Sequence, residues 1–148
     1  MEALDFLEKI NETFPCAKQD LRAYSPLTLA FIGDAVYSLV VRTIIVERAN
    51  RANNALHKES VKYVSAENQA KIVDVLGPVL TQEEADVLRR GRNAKPHTTA
   101  KNASLKAYHA ATGLEALVGY LYLAGQTDRM LELIKIGFDG LDEAKSAK

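Results

Sequence analysis

A single cysteine, Cys16, in 148 residues leaves no room for an intramolecular disulfide framework or for a metal site built from several thiolates. A reducing, cytoplasmic setting suits such a chain. Proline and glycine are sparse, at four and eight. No stretch keeps the period-2 alternation of a half-buried strand, so helices are expected nearly throughout. Charge of one sign is missing as well: 19 Lys and Arg balance 19 Asp and Glu. Whole-molecule charge therefore selects no partner, and any nucleic-acid footprint has to be local. There is no glycine-rich phosphate loop. The opening residues MEALDFLEKI are acidic and amphipathic, without the basic start and apolar run of a secretory leader. The most apolar stretch, Leu29 to Val46, is interrupted by Asp34 and Arg42. That makes a core helix the expected reading rather than a bilayer span, and no membrane partner is expected.

What is present is helical punctuation. A short amphipathic helix is expected over about Ala3–Asn11, and Pro15 falls in a loop. Ser25 followed by Pro26 reads as an N-cap and first helical position, opening a helix that runs to about Ala49. Asn53 is expected to cap the next helix, and Ser65 to restart one that stops at Gly77-Pro78. Thr81-Gln82-Glu83-Glu84 has the form of a capping box, with a helix to about Arg90. The segment RGRNAKPHTTAKN that follows reads as a loop. A long helix is expected from Ser104 to Ala124, bent near Gly113, then a last one from Thr127 or Asp128. The fold class is all-α: a compact multi-helix single domain over 1–148, with its core over about 24–140 and a frayed tail over 141–148.

Two of these helices are anomalous. LAFIGDAVYSLVVRTIIV is apolar on every face, as a helix buried on most sides would be, yet Asp34 sits in its middle. Burying an unpaired carboxylate costs several kcal/mol, roughly, so Asp34 must be paired, protonated, bound to a cation or turned to a cleft. TGLEALVGYLYLA repeats the pattern, with Glu115 its only charge and Gly119 on the same face. Gly33 adjoins Asp34. Each glycine weakens its helix by roughly 1 kcal/mol relative to Ala, which suggests close approach of two backbones beside their acids. If the carboxylates converge, a shared proton or a divalent cation relieves their repulsion. An all-oxygen donor set suits Mg²⁺ or Mn²⁺. A salt bridge from Asp34 to a neighbouring Arg or Lys is the plain alternative, and the pattern alone does not bring the acids together.

Between Val87 and Leu114 there is no Asp or Glu, while Arg89, Arg90, Arg92, Lys95, Lys101 and Lys106 occur with His97 and His109. Such a segment suits phosphate backbones, helped by Asn93, Thr98, Thr99 and Asn102. Lacking aromatic platforms, it fits duplex RNA, read by shape, better than single strands. A solvated loop neutralised by Glu83, Glu84 and Asp86 is the alternative. His57 reads as a surface or packing residue, Cys16 as a buried or inert thiol, and Tyr120 and Tyr122 as core or interface aromatics.

These motifs resemble a known family. LAFIGDAVYSLVVR is similar to the ribonuclease III signature, whose core reads E-F-L-G-D-[AS]. LEALVGYLYLAG resembles the family's second acidic motif, an E-A-L-x-G helix. HKESVKYVSAENQA resembles the segment between them. The RRGRNAK stretch, the length and the lack of a following domain resemble the Mini-ribonuclease III group, over roughly Tyr24 to the last helix. The resemblance implies a metal-dependent endoribonuclease that hydrolyses both strands of double-stranded RNA, leaving 5′-phosphate and 3′-hydroxyl ends. Asp34 would be the main catalytic acid and metal ligand, Glu115 the second, and Mg²⁺ the cofactor, with Mn²⁺ a substitute. It also implies a homodimer with one cutting site per subunit and a role in maturing large-subunit (23S) ribosomal RNA. RNA contacts would fall to Arg89, Arg90, Arg92, Lys95 and Lys101, since no separate double-stranded-RNA-binding domain is present. The pattern departs from the family at two acids: Ala30 stands where a Glu is usual, and Thr112 where an Asp is usual. Two of four acids are thus missing, which leaves the metal count open, although Thr112 keeps a hydroxyl able to orient water. A non-catalytic RNA-binding or ribosome-associated module on the same fold is the competing reading. A purely structural helical dimer is the third.

Overall fold

In the computed structural model residues 6–94 and 104–146 are described, and among them there are seven α-helices and no strand. They are α1 (Phe6–Thr13), α2 (Pro26–Arg48), α3 (Asn53–Val64), α4 (Ala66–Leu76), α5 (Gln82–Ala94), α6 (Leu105–Leu123) and α7 (Thr127–Ser146). Short 3₁₀ turns cover Leu21–Ala23 and Gly77–Val79. The all-α expectation holds.

Most helix starts follow the local chemistry. The Ser25 side chain accepts from the Thr28 amide at 3.2 Å, with Pro26 in the first turn of α2. Ser65 caps α4 through Asn68 and Ser104 caps α6 through Ala107. The capping box of α5 is complete: Thr81 accepts from the Glu84 amide and Glu84 accepts from the Thr81 amide. Each such cap is worth about 1 kcal/mol. Asn53 is not a cap; it is the first residue of α3, and Ala52 precedes it without a side-chain bond. Past the end of α6, Gly125 takes φ 74°, a conformation that favours glycine, while the Gln126 amide bonds the Leu121 carbonyl.

The core is organised around α6, which packs against α2, α5 and α4. Leu114, Leu117 and Leu121 are each at most 2% exposed, and burying side chains of this size contributes about 1.5–3 kcal/mol apiece. Glycine lets neighbouring backbones reach α6. A Cβ at Gly33 would run into the Glu115 carbonyl, and one at Gly119 into the Leu29 carbonyl, so α2 and α6 touch backbone to backbone. Gly91 of α5 meets Thr112, Gly113 and Ala116 in the same way. On the far side, Arg129 of α7 ties to both oxygens of Glu84 at 2.8 Å and to the Val79 carbonyl at 2.9 Å. Its guanidinium holds the Glu84 carboxyl below the usual range.

Two boundaries differ from the sequence reading. Helix α5 continues to Ala94, so Arg90 and Arg92 are helical rather than in a loop, because Gly91 anchors this turn on α6. Helix α7 continues to Ser146, beyond the tail boundary expected near residue 140.

Candidate active site

The buried core helix expected around Asp34 is only half buried. One side of α2, with Leu29, Gly33, Val36 and Tyr37, is buried, chiefly against α6. The other side exposes Leu27, Phe31, Leu39 and Val46, with Phe31 82% exposed. By length and composition α2 could cross a membrane; its all-round apolar pattern reflects one face turned to α6 and one apolar face the chain leaves open. Asp34 lies on the open side and is itself exposed, so it avoids the desolvation that the wheel pattern implied. It makes no hydrogen bond or ion pair among the described residues. The salt-bridge alternative therefore does not apply there.

Asp34 and Glu115, far apart in the chain, line one cleft of about 290 Å³ together with Leu27, Ala30 and Phe31. The Gly33–Gly119 contact explains why: where the backbones of α2 and α6 touch, the residue beside Gly33 and the residue one turn before Gly119 come to the same groove. Glu115 is half-buried. Its charge, after burial itself, pushes up the pKa of Tyr37, one turn beyond Asp34. The Tyr37 hydroxyl donates to the Tyr63 carbonyl at 2.7 Å, which fixes the end of α3 against α2 below the cleft.

The two replaced acids behave differently. Ala30 lines the cleft, whereas Thr112 is 2% exposed and its hydroxyl donates to the Tyr108 carbonyl at 3.2 Å. Thr112 is therefore tied to its own helix rather than placed to orient water in the cleft. Among the described residues no group of three or more His, Cys, Asp or Glu side chains could hold a metal ion. The donor set of the cleft is two carboxylates. Such an oxygen pair still fits Mg²⁺, which keeps several waters and needs only one or two protein carboxylates.

Of the five predicted RNA contacts, Arg89, Arg90 and Arg92 fall among the described residues, all on α5. Arg89 pairs with Asp86 at 3.8 Å. Arg90 lines a second cleft with Arg22, Glu83, Asp86 and Tyr120. The Tyr120 hydroxyl donates to Glu83, and that bond, with burial, lifts the tyrosine to about 12. Arg92 is half-buried beside Gly113. Lys95 and Lys101, with His97, lie outside the described residues. Of the acids that might have neutralised this segment, Glu84 is committed to Arg129. Lys58 and Lys62 stand one turn apart on the exposed side of α3. His57 is exposed, as expected, and Cys16 is exposed rather than buried.

A profile of the Ribonuclease III domain matches residues 27–126. The chain is 50% identical to Mini-ribonuclease 3 of Thermoanaerobacter sp. (strain X514), covering 90% of this chain and 94% of that one. It is 48% identical to Mini-ribonuclease 3 of Symbiobacterium thermophilum, over 81% and 92%. The crystal structure of a Fusobacterium nucleatum protein superposes with a TM-score of 0.74 at 30% identity, covering 83% of this chain and 98% of that one.

Proposed function

Because this chain belongs to the ribonuclease III family, in its Mini-ribonuclease 3 branch, we propose that it is a metal-dependent endoribonuclease acting on double-stranded RNA. The observation that carries the reading is the cleft in which Asp34 of α2 and Glu115 of α6 face the same space. Asp34 is the main acid in this proposal, open to substrate, and Glu115 the second. Together they would hold Mg²⁺, with Mn²⁺ a substitute. A divalent ion bound there supplies Lewis-acid charge and makes water more acidic. Water attacks the phosphorus and gives up a proton, the bond to the 3′ oxygen breaks and that oxygen takes up a proton, and the products carry 5′-phosphate and 3′-hydroxyl ends. Leu27 and Phe31 line the same cleft and, being exposed, leave it open to substrate.

RNA is gripped, on this reading, by Arg89, Arg90 and Arg92 on α5 and by Lys95 and Lys101 beyond it, with Lys58 and Lys62 on α3 as further phosphate contacts. Helix α5 supports the placement, since Gly91 touches α6 at Thr112–Ala116, the stretch that includes Glu115. The open apolar stripe of α2 supports a homodimer, because a face with Phe31 82% exposed is a candidate interface. A precursor of 23S ribosomal RNA in the cytoplasm is the substrate proposed from the resemblance alone.

The test is a gel of long duplex RNA incubated with the protein and Mg²⁺, with and without EDTA. Wild type is expected to cut only with the ion, and Asp34→Asn to be inactive while keeping the fold. Undiminished cutting by Asp34→Asn removes Asp34 from the mechanism. Salt-sensitive binding with no cutting selects the non-catalytic module instead, a reading that the lean two-carboxylate cleft keeps in play.

A further inference from the structure

A second cleft, of about 170 Å³, lies between the turn that precedes α2 and the outer side of α5. Arg22 lines it from the turn and Arg90 from α5, over an apolar floor that includes Leu29 and Val87. Two carboxylates, Glu83 and Asp86, line it as well, yet neither pairs with these arginines. Both acids are engaged with other donors. Glu83 accepts from the Tyr120 hydroxyl. Asp86 accepts from the Gln82 side chain at 3.2 Å and pairs with Arg89 at 3.8 Å. Neither Arg22 nor Arg90 makes an ion pair or a side-chain hydrogen bond among the described residues. Counting Arg89, three cations here meet two anions, which leaves one positive charge over.

Both arginines stand on fixed supports. The Arg22 amide donates to the Asp20 carboxylate at 3.0 Å. Leu21 and Tyr24, around Arg22, pack against the cluster of Leu29, Ala30, Val87 and Ala116. Helix α5 is held by its capping box and by Gly91 on α6. The two arginines themselves are exposed. Open guanidinium forks on rigid backbone suit a phosphate, whose oxygens match the spacing of the N–H donors. Leu29 lines this cleft, and the next residue, Ala30, lines the Asp34–Glu115 cleft. The start of α2 therefore separates the two sites by about the 10–12 Å width of a helix. That is roughly three phosphates along one strand of a duplex. We propose that Arg22 and Arg90 together clamp one backbone phosphate of the RNA duplex, a few nucleotides from the bond that is cut. The clamp adds Arg22, which lies outside the basic segment, to the RNA contacts, and its register rests on the nuclease reading of the carboxylate cleft.

Fluorescence anisotropy of a labelled RNA duplex with the full chain, recorded over a range of monovalent salt with Ca²⁺ in place of Mg²⁺, tests the clamp. Arg22→Ser and Arg90→Ser are each expected to weaken binding about tenfold. The double variant is expected to lose about twentyfold rather than the full product, because both forks serve one phosphate. Its salt slope is expected to fall by about one ion. Lys135→Ser, which removes an exposed cation from α7, is expected to change affinity by less than about twofold. An Arg22→Ser variant that binds no worse than Lys135→Ser overturns the proposal. So does a double variant that loses the full product while its slope falls by about two, since the arginines then meet separate phosphates. A parallel Mg²⁺ cleavage gel of wild type separates the two claims. Cutting by wild type with no loss of affinity in Arg22→Ser overturns the clamp and leaves the nuclease reading standing. The expected losses of affinity without any cutting support the clamp and overturn the nuclease reading.

Discussion

Helices α2 and α6 look alike in sequence and differ in what covers them. Both are apolar on every side, and each has a glycine where the two backbones touch. Helix α6 is enclosed by the chain itself, with Ala116 0% exposed and its neighbours α2, α4 and α5 around it. Helix α2 is covered on one side only, and its other side carries Phe31, Leu39 and Val46 into solvent. An all-round apolar helix thus has two explanations, burial within one chain or burial between this chain and a second body, and periodicity does not distinguish them. The position of the acids follows the difference. Asp34 is on the open side of α2, while Glu115 stands at the edge of the enclosed helix, half-buried.

The comparison can be broken most forcefully at the seam the two helices share. Gly33→Ala or Gly119→Ala drives a methyl group into the carbonyl of the facing helix. Either is expected to lower stability by about 3 kcal/mol or more, at the upper end for overpacking, as read by urea denaturation. A loss below about 1 kcal/mol would show that the helices can slide apart.

A support outside the seam comes next. Glu84 is 5% exposed and bonded to Arg129, so Glu84→Gln is expected to cost about 2–3 kcal/mol, less than a fully buried pair because Arg129 reaches solvent. Since the carboxyl is held below its usual value near 4.5, the wild type keeps this contribution above that pH and loses it as pH falls through the lowered value. Glu84→Gln should flatten that acid limb. An unchanged limb would place the acid sensitivity elsewhere.

The open side of α2 sharpens the contrast without touching the seam. Phe31→Asp is expected to change stability of the isolated chain by no more than about 0.5 kcal/mol. It is also expected to convert a dimer to a monomer in sedimentation. A dimer that survives Phe31→Asp means that another face joins the copies. The smallest effect is expected at Arg89, which is exposed and paired with Asp86. Arg89→Ser should weaken duplex binding by less than Arg92→Ser, and reduce the salt slope by no more than about one ion. Equal effects would show that the two residues meet the duplex alike.

Much of this was legible in advance. Ser25-Pro26, Ser65 and the Thr81–Glu84 box are local signals, because a cap is made by residues three apart. The pairing of Gly33 and Gly119 beside two acids was legible as a suspicion, since glycine inside a helix needs a reason. The end of α5 was misread as loop. Gly91 and Asn93 are poor helix formers, and the helix persists there because Gly91 packs on Gly113 and Ala116. Thr112 as a water-orienting group was misjudged for a similar reason. Its hydroxyl turns to Tyr108 within its own helix, a choice among rotamers that sequence does not record.

By itself, the sequence determined the helices, most of their starts, the family and the two carboxylates, because these depend on residue type and short-range spacing. Tertiary structure alone decided that Asp34 is exposed, that it shares a cleft with Glu115, and that half of α2 is uncovered. Those facts depend on which face of each helix meets another, and that is set by contacts between residues far apart in the chain.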